Sequence, residues 1–212
     1  MTGPVAPPAP RTSGPWITMW YAPRATARRL IDSGAGGALP IAVLLGISQA
    51  LDRGATHDLG ATMGLPAILA IGVAVGTAFG PLTLFVGAWL IRWTGSWLGG
   101  RATAAELRTA LAWGQVPTVS AMPLWIPILL VGGVQLFRAE PRFASPADAF
   151  VILACGLAMG AAGIWGTVTS VLCVAEAHRF SGWKGLASVA LALLVLAVPI
   201  GLVGMVVVLL TR

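Results

Sequence analysis

Glu176, His178 and Arg179 put a carboxylate, an imidazole and a guanidinium within four residues, at the end of a long apolar stretch. Glu176 is the sole acidic residue inside a candidate membrane span, and a carboxylate in hydrocarbon is costly unless it is hydrated, paired or protonated. Buried, it could exchange a proton or engage a cationic headgroup, with His178 assisting near neutral pH. The stronger reading is a carboxylate at the headgroup boundary, satisfied by water, Arg179 or Lys184. These three residues form the candidate polar or proton-coupled site.

Other residues capable of chemistry do not assemble into a motif. His57 and His178 are expected on opposite membrane sides. Cys155 and Cys173 are eighteen residues apart, about 27 Å along a helix, which suits packing rather than a disulfide or a metal pair. Asp52, Arg53, Asp58, Glu140 and Asp148 read as solvated loop charges without compact ligand spacing. There is no phosphate-cradling loop and no carboxylate pair suited to hydrolysis. The expectation is no catalytic residue, no metal and no cofactor.

The elements that carry these residues are apolar. Of 212 residues, 57% are hydrophobic and 9% charged, too few charges for an ordinary soluble domain. Five stretches, at about 36–52, 64–92, 118–137, 149–177 and 187–210, have lengths to be weighed as membrane helices. This predicts an all-α membrane protein, with five transmembrane helices in a single bundle. The first span is marginal, because Gly34-Ala35-Gly36-Gly37 and Pro40 weaken its start, and a re-entrant segment competes. Residues 1–15, rich in Pro, Ala, Gly and Thr, read as a disordered cytosolic tail ahead of one helical domain over 16–212.

The net charge is +6, and its placement argues for a membrane rather than nucleic acid. Nine basic residues fall in the segments on one predicted side and four on the other, which puts the N-terminus in the cytosol and the C-terminus outside it. Trp16, Trp20, Arg24, Arg28 and Arg29 suit a membrane-surface helix before span one. Trp89, Trp93 and Trp97 recur at four-residue intervals as an interfacial belt. Between spans two and three, residues 101–113 read as a short amphipathic helix, with capping-box spacing at Thr103 and Glu106.

Gly72, Gly76, Gly80 and Gly87 make a small-residue stripe on span two, as Gly156 and Gly160 do on span four, and such faces pack against helices. Span four carries a second small face through Cys155, Ala162, Gly166, Thr169 and Cys173, so it is expected at the bundle centre. Pro81, Pro123, Pro127 and Pro199 are expected kinks.

Trp20-Tyr21-Ala22-Pro23-Arg24 followed by Arg28, Gly99-Gly100-Arg101 leading into Glu106-Leu107-Arg108, and Ala112-Trp113-Gly114-Gln115-Val116-Pro117 resemble the Yip1 family of polytopic membrane proteins, particularly its bacterial members. The likeness extends over roughly residues 16–210. It implies a five-helix membrane domain with a cytosolic N-terminus, here in a bacterial inner membrane. The family's eukaryotic members resemble trafficking adaptors that meet small GTPases, but the long cytosolic region for that role is absent here. The expected function is a non-enzymatic membrane-organising or protein-interaction factor, with membrane lipids and a membrane-protein partner or a second copy as partners and no nucleic acid. The alternative is a small-solute, ion or lipid transporter using the polar site near Glu176.

Overall fold

Proline and capping residues set most of the helix starts. Pro15, Pro23, Pro66, Pro117 and Pro146 stand in first turns, where a missing N–H costs nothing. Thr103 and Ser145 form reciprocal capping boxes with Glu106 and Asp148. The structure, a computed structural model, describes residues 14–210. Its helices are α1 Pro15–Tyr21, α2 Pro23–Asp32, α3 Ala38–Thr56, α4 Leu65–Trp97, α5 Ala104–Gly114, α6 Val116–Ser120, α7 Trp125–Gly132, α8 Pro146–Ala177 and α9 Gly182–Leu210. Short 3-10 turns occupy Leu59–Ala61, Met122–Leu124 and Gly133–Phe137. Of the expected tail, residues 1–13 lie outside the described residues, while Gly14 and Pro15 begin α1.

Among the described residues, four segments are long and apolar enough to cross a membrane: α4, the run Ala104–Phe137, α8 and α9 through Leu209. The first expected span, α3, is not among them, because Ser48, Gln49, Asp52 and Arg53 dilute its 19 residues. It nevertheless packs along α4 between Trp113 and Phe137. At its start the Trp113 indole donates to the Gly36 carbonyl at 3.2 Å, and near its end Gly54 packs on the Phe137 ring. Beyond that end two loops join, as Arg138 Nε donates to Gly60 O at 3.2 Å and Ala139 N donates to Asp58 Oδ1 at 2.9 Å.

Along this length α3 touches α4 backbone to backbone. A Cβ added to Gly46 would lie 2.7 Å from Gly80 Cα, and one on Gly76 would lie 2.7 Å from the Gly46 carbonyl carbon, with the Ile47 backbone closer still. Leu51 fills the space beside Gly72. Gly87 is looser, 3.9 Å from Leu111 by the same measure. Close approach replaces side-chain interdigitation here, the arrangement that small residues permit in membranes.

The prolines act in two ways. Pro81 and Pro199 sit inside helices that continue past them. Pro123 falls in a 3-10 turn and Pro127 in the first turn of α7, so the expected kinked span 118–137 is instead broken into α6, a turn, α7 and a second turn. Two missing N–H groups four residues apart interrupt the ladder where one bend would not suffice.

α8 is packed along one small face and open along the other. Ala162, Gly166, Thr169 and Cys173 are buried, and Thr118 occupies the space beside Gly166. Gly156, Gly160 and Gly163 have nothing within 4 Å of an added Cβ. The expectation that both faces pack within the bundle is therefore corrected: short α6 and α7 cover only the side nearest them. Replacing Gly76 with Ala should force α3 from α4 and cost about 1–3 kcal/mol, the penalty of overpacking. Gly156→Ala should be neutral or stabilising by up to about 1 kcal/mol through helix propensity. Thermal unfolding in one detergent, compared with the parent protein, measures both.

Candidate functional site: the arginine clasp and histidine cap

α8 ends in a Schellman arrangement. His178 is its cap, Arg179 takes a left-handed φ of 59°, and the N–H groups of Arg179 and Phe180 return to the carbonyls of Glu176 and Ala175. α2 and α4 close in the same way at Gly34 and Gly99, with φ of 61° and 84°. Arg179 holds the position usually given to glycine, and its side chain is exposed and makes no ion pair with Glu176.

The end of α8 is met by α2. Arg24 and Arg28 lie one turn apart on the same face. Arg28 Nε contacts Glu176 Oε1 at 3.1 Å, its Nη2 donates to the Glu176 carbonyl, and Arg24 Nη2 donates to the Phe180 carbonyl at 3.0 Å. The two guanidiniums thus take a carboxylate and two carbonyls at the negative end of a helix dipole. Arg28 also approaches Asp32 at 3.7 Å. The expectation that Arg179 or Lys184 would satisfy Glu176 is corrected. Arg179 points outward, and Lys184 instead stands over the Phe180 ring at 5.7 Å.

α1 braces α2 from behind. Thr26 donates to Thr18 at 2.8 Å, and Arg29 Nη2 donates to the same Thr18 oxygen at 3.1 Å. Met19 and Ala27 are fully buried, with Cys173 Sγ 3.7 Å from Met19 Sδ. Trp16 meets Trp113 edge-on at 6.1 Å, and the Trp165 indole donates to the Trp20 carbonyl at 3.1 Å. Trp89, Trp93 and Trp97 form an exposed ladder with centroid separations of 5.9 and 4.9 Å.

His178 is 2% exposed. Its Nδ1 accepts from Ala102 N at 3.3 Å, and its ring stacks on Phe180 at 5.0 Å. Gly95 and Gly100 leave the room: a Cβ on Gly95 would lie 3.1 Å from His178 Cδ2, and one on Gly100 would lie 2.8 Å from Phe180 Cζ. The Nε2 atom lies beside the Ile91 carbonyl but makes no hydrogen bond of acceptable geometry. Burial pushes the imidazole below its ordinary 6.5, opposed more weakly by Ile91 and by Glu106. A neutral ring fits, since protonating Nδ1 would remove the acceptor that Ala102 uses.

The geometry joins three distant pieces of chain: α2, the α4–α5 junction and the end of α8. The sequence singles out Glu176 and His178 but not the partners they meet in the fold. Gly95, Gly100 and Ala102 went unrecognised as the histidine's pocket, although the pair Gly99-Gly100 after an apolar run is a helix-stop signal. Among the described residues no three His, Cys, Asp or Glu side chains gather in a way that could hold a metal ion. Glu176 is already engaged, so the arrangement is suited to holding helices together.

The histidine makes stability depend on pH with a definite sign. Its folded pKa lies below the unfolded value, so the unfolded chain binds the proton first as pH falls. The contribution is fully present above pH 6.5 and is lost progressively as pH drops from there toward the depressed folded value. The thermal midpoint of the parent protein should fall between pH 7.5 and 5.5 more steeply than that of His178→Asn, measured in the same detergent. Equal slopes would remove the histidine from this role.

Comparison with protein families matches the Yip1 domain over residues 17–205. That span takes in Trp20 of α1, the arginines of α2, the glycine-paired α3 and α4, and most of α9. No curated protein and no solved structure matched the chain. Apolar helices of membrane-crossing length and a domain match over most of the sequence agree: this chain belongs to the Yip1 domain family and is an integral membrane protein.

Proposed function

We propose that the protein crosses the membrane five times, with α3 as the fifth crossing element, and serves as a non-enzymatic organising or interaction factor. The packing of α3 along α4 supports the count, and its 19 residues extend about 28 Å, close to the hydrocarbon thickness. With five crossings, Arg24, Arg28, Arg29, Arg92, Arg101, Arg108, Arg179 and Lys184 share one end, against Arg53, Arg138 and Arg142 at the other. That asymmetry favours a cytosolic N-terminus. α1, α2 and α5 then form a cytosolic platform at the headgroup level, with Trp16, Ile17, Trp20 and Tyr21 on its exposed surface.

The observation that carries the interaction reading is the open glycine face of α8. Gly156, Gly160 and Gly163 allow another helix to approach closely, yet none of the described residues does so. Leu157 and Ile164 beside them are 66% and 72% exposed, so a partner helix would have apolar walls to pack against. The transport alternative needs a carboxylate free to exchange protons. The pairing of Glu176 with Arg28 favours the organising role over that alternative.

Site-specific photocrosslinking in native membranes tests this reading. A benzophenone side chain at Leu157 should give a discrete protein adduct, either a second copy or another membrane protein, and Gly160→Leu in the same chain should reduce its yield at least fivefold. The same probe at Leu193 on α9 should give no discrete adduct. Equal yields at both positions, or no effect of Gly160→Leu, would contradict a partner on this face.

A further inference from the structure

A cleft of about 290 Å³ runs along the junction of α3 and α4. Gly46, Gly72 and Gly80 lie along its floor, where α3 and α4 pack closely. One wall is apolar: Ile71, Val75 and Phe79 line it and remain 41%, 41% and 53% exposed. The other carries Gln49, Arg53 and His57, spaced four residues apart along α3 and its cap. The lining reaches along α4 from Ile68 to Thr83, about 22 Å, which exceeds the roughly 15 Å of hydrocarbon in one leaflet.

The charge in this cleft is uncompensated by the protein. Both salt bridges among the described residues involve Arg28, and the Arg53 guanidinium enters no hydrogen bond or ion pair. Asp52, about 100° round the helix, does not line the cleft. The last turn of a helix favours a cation, which accounts for Arg53 but not for the apolar trough leading away from it. Three other hollows lack one half of the combination. Those between α4 and α9, and beside Trp183, have no charged lining. The hollow at the loop end pairs Arg138 and Arg142 with Asp58 and Glu140 and is mostly polar.

We propose that this cleft binds one anionic phospholipid, with its phosphate at Arg53 and His57 and one acyl chain lying along α4 toward Phe79. Its volume, near the lower end of the roughly 300–1,000 Å³ usual for ligand sites, suits a single chain. A cation with a free fork of donors at headgroup depth selects for the anionic phosphate, while the glycine floor supplies a length-matched apolar channel. The site is thus distinct from the annular lipid that coats the rest of the bundle. This inference rests on α3 crossing the membrane, part of the proposed architecture.

Native mass spectrometry of the full chain in mild detergent, titrated with phosphatidylglycerol and with phosphatidylcholine of the same acyl chains, tests the site. A one-to-one phosphatidylglycerol adduct should form at least fivefold more strongly than the phosphatidylcholine adduct. It should weaken about tenfold in Arg53→Gln, recover substantially in Arg53→Lys, and fall in Val75→Trp, which fills the trough from its exposed wall. Arg101→Gln, at the opposite end, should leave it unchanged. Equal adducts for the two lipids, or equal losses in Arg53→Gln and Arg101→Gln, mean annular lipid only and overturn the proposal. Labelling of Thr62→Cys by an impermeant maleimide from outside sealed cells, in a background lacking Cys155 and Cys173, separately checks that α3 crosses. Labelled Thr62→Cys with unselective lipid binding would refute the lipid site and leave the architecture standing, whereas protected Thr62→Cys would refute both.

Discussion

The negative end of α8 has to be neutralised near a membrane surface, and two arginines from a helix more than 140 residues earlier in the chain do it. Arg24 and Arg28 take the carbonyls of Phe180 and Glu176 together with the Glu176 carboxylate. Because α2 is thereby fixed over α8, α1 can fold back on it through Thr18 and Thr26. The buried patch of Met19, Ala27, Leu107 and Cys173 then closes beneath them. His178 ties the α4–α5 junction to the same point. Without the clasp, α1 and α2 would be held to the bundle mainly by apolar contact and by the Trp165 indole on the Trp20 carbonyl.

At the far side of the molecule the organising constraint is spatial. Glycines 46, 76 and 80 allow α3 and α4 to meet along their backbones, so a helix too polar to count as a membrane span by composition is still held against α4. The cleft beside Arg53 runs along the same seam.

Helix identity was legible in the sequence because apolar runs and caps are local signals. The stripe Gly72, Gly76, Gly80 lies on the face of α4 that meets α3, and Thr103 and Glu106 form their reciprocal cap. What resisted reading was pairing between elements. Glu176 and Arg28 are 148 residues apart, and nothing in the spacing of either helix distinguishes Arg28 from Arg179 as the partner. Gly156 and Gly160 carry the same small-residue signature as Gly72 and Gly76, yet only the latter are covered, since coverage depends on where the broken segment α6–α7 runs. The two prolines that break it were visible; the resulting gap along α8 was not.

Hydrogen–deuterium exchange in lipid nanodiscs tests the clasp most directly, because amide protection reports local opening without requiring the protein to unfold. In the parent protein, residues 23–32 should be protected. In Glu176→Ala, their exchange should rise at least tenfold, while the apolar middles of α4 and α8 keep their protection. Unchanged exchange across residues 23–32 in Glu176→Ala would show that α2 is held without the Glu176 carboxylate, contradicting the claim that this ion pair fixes α1 and α2 to the bundle.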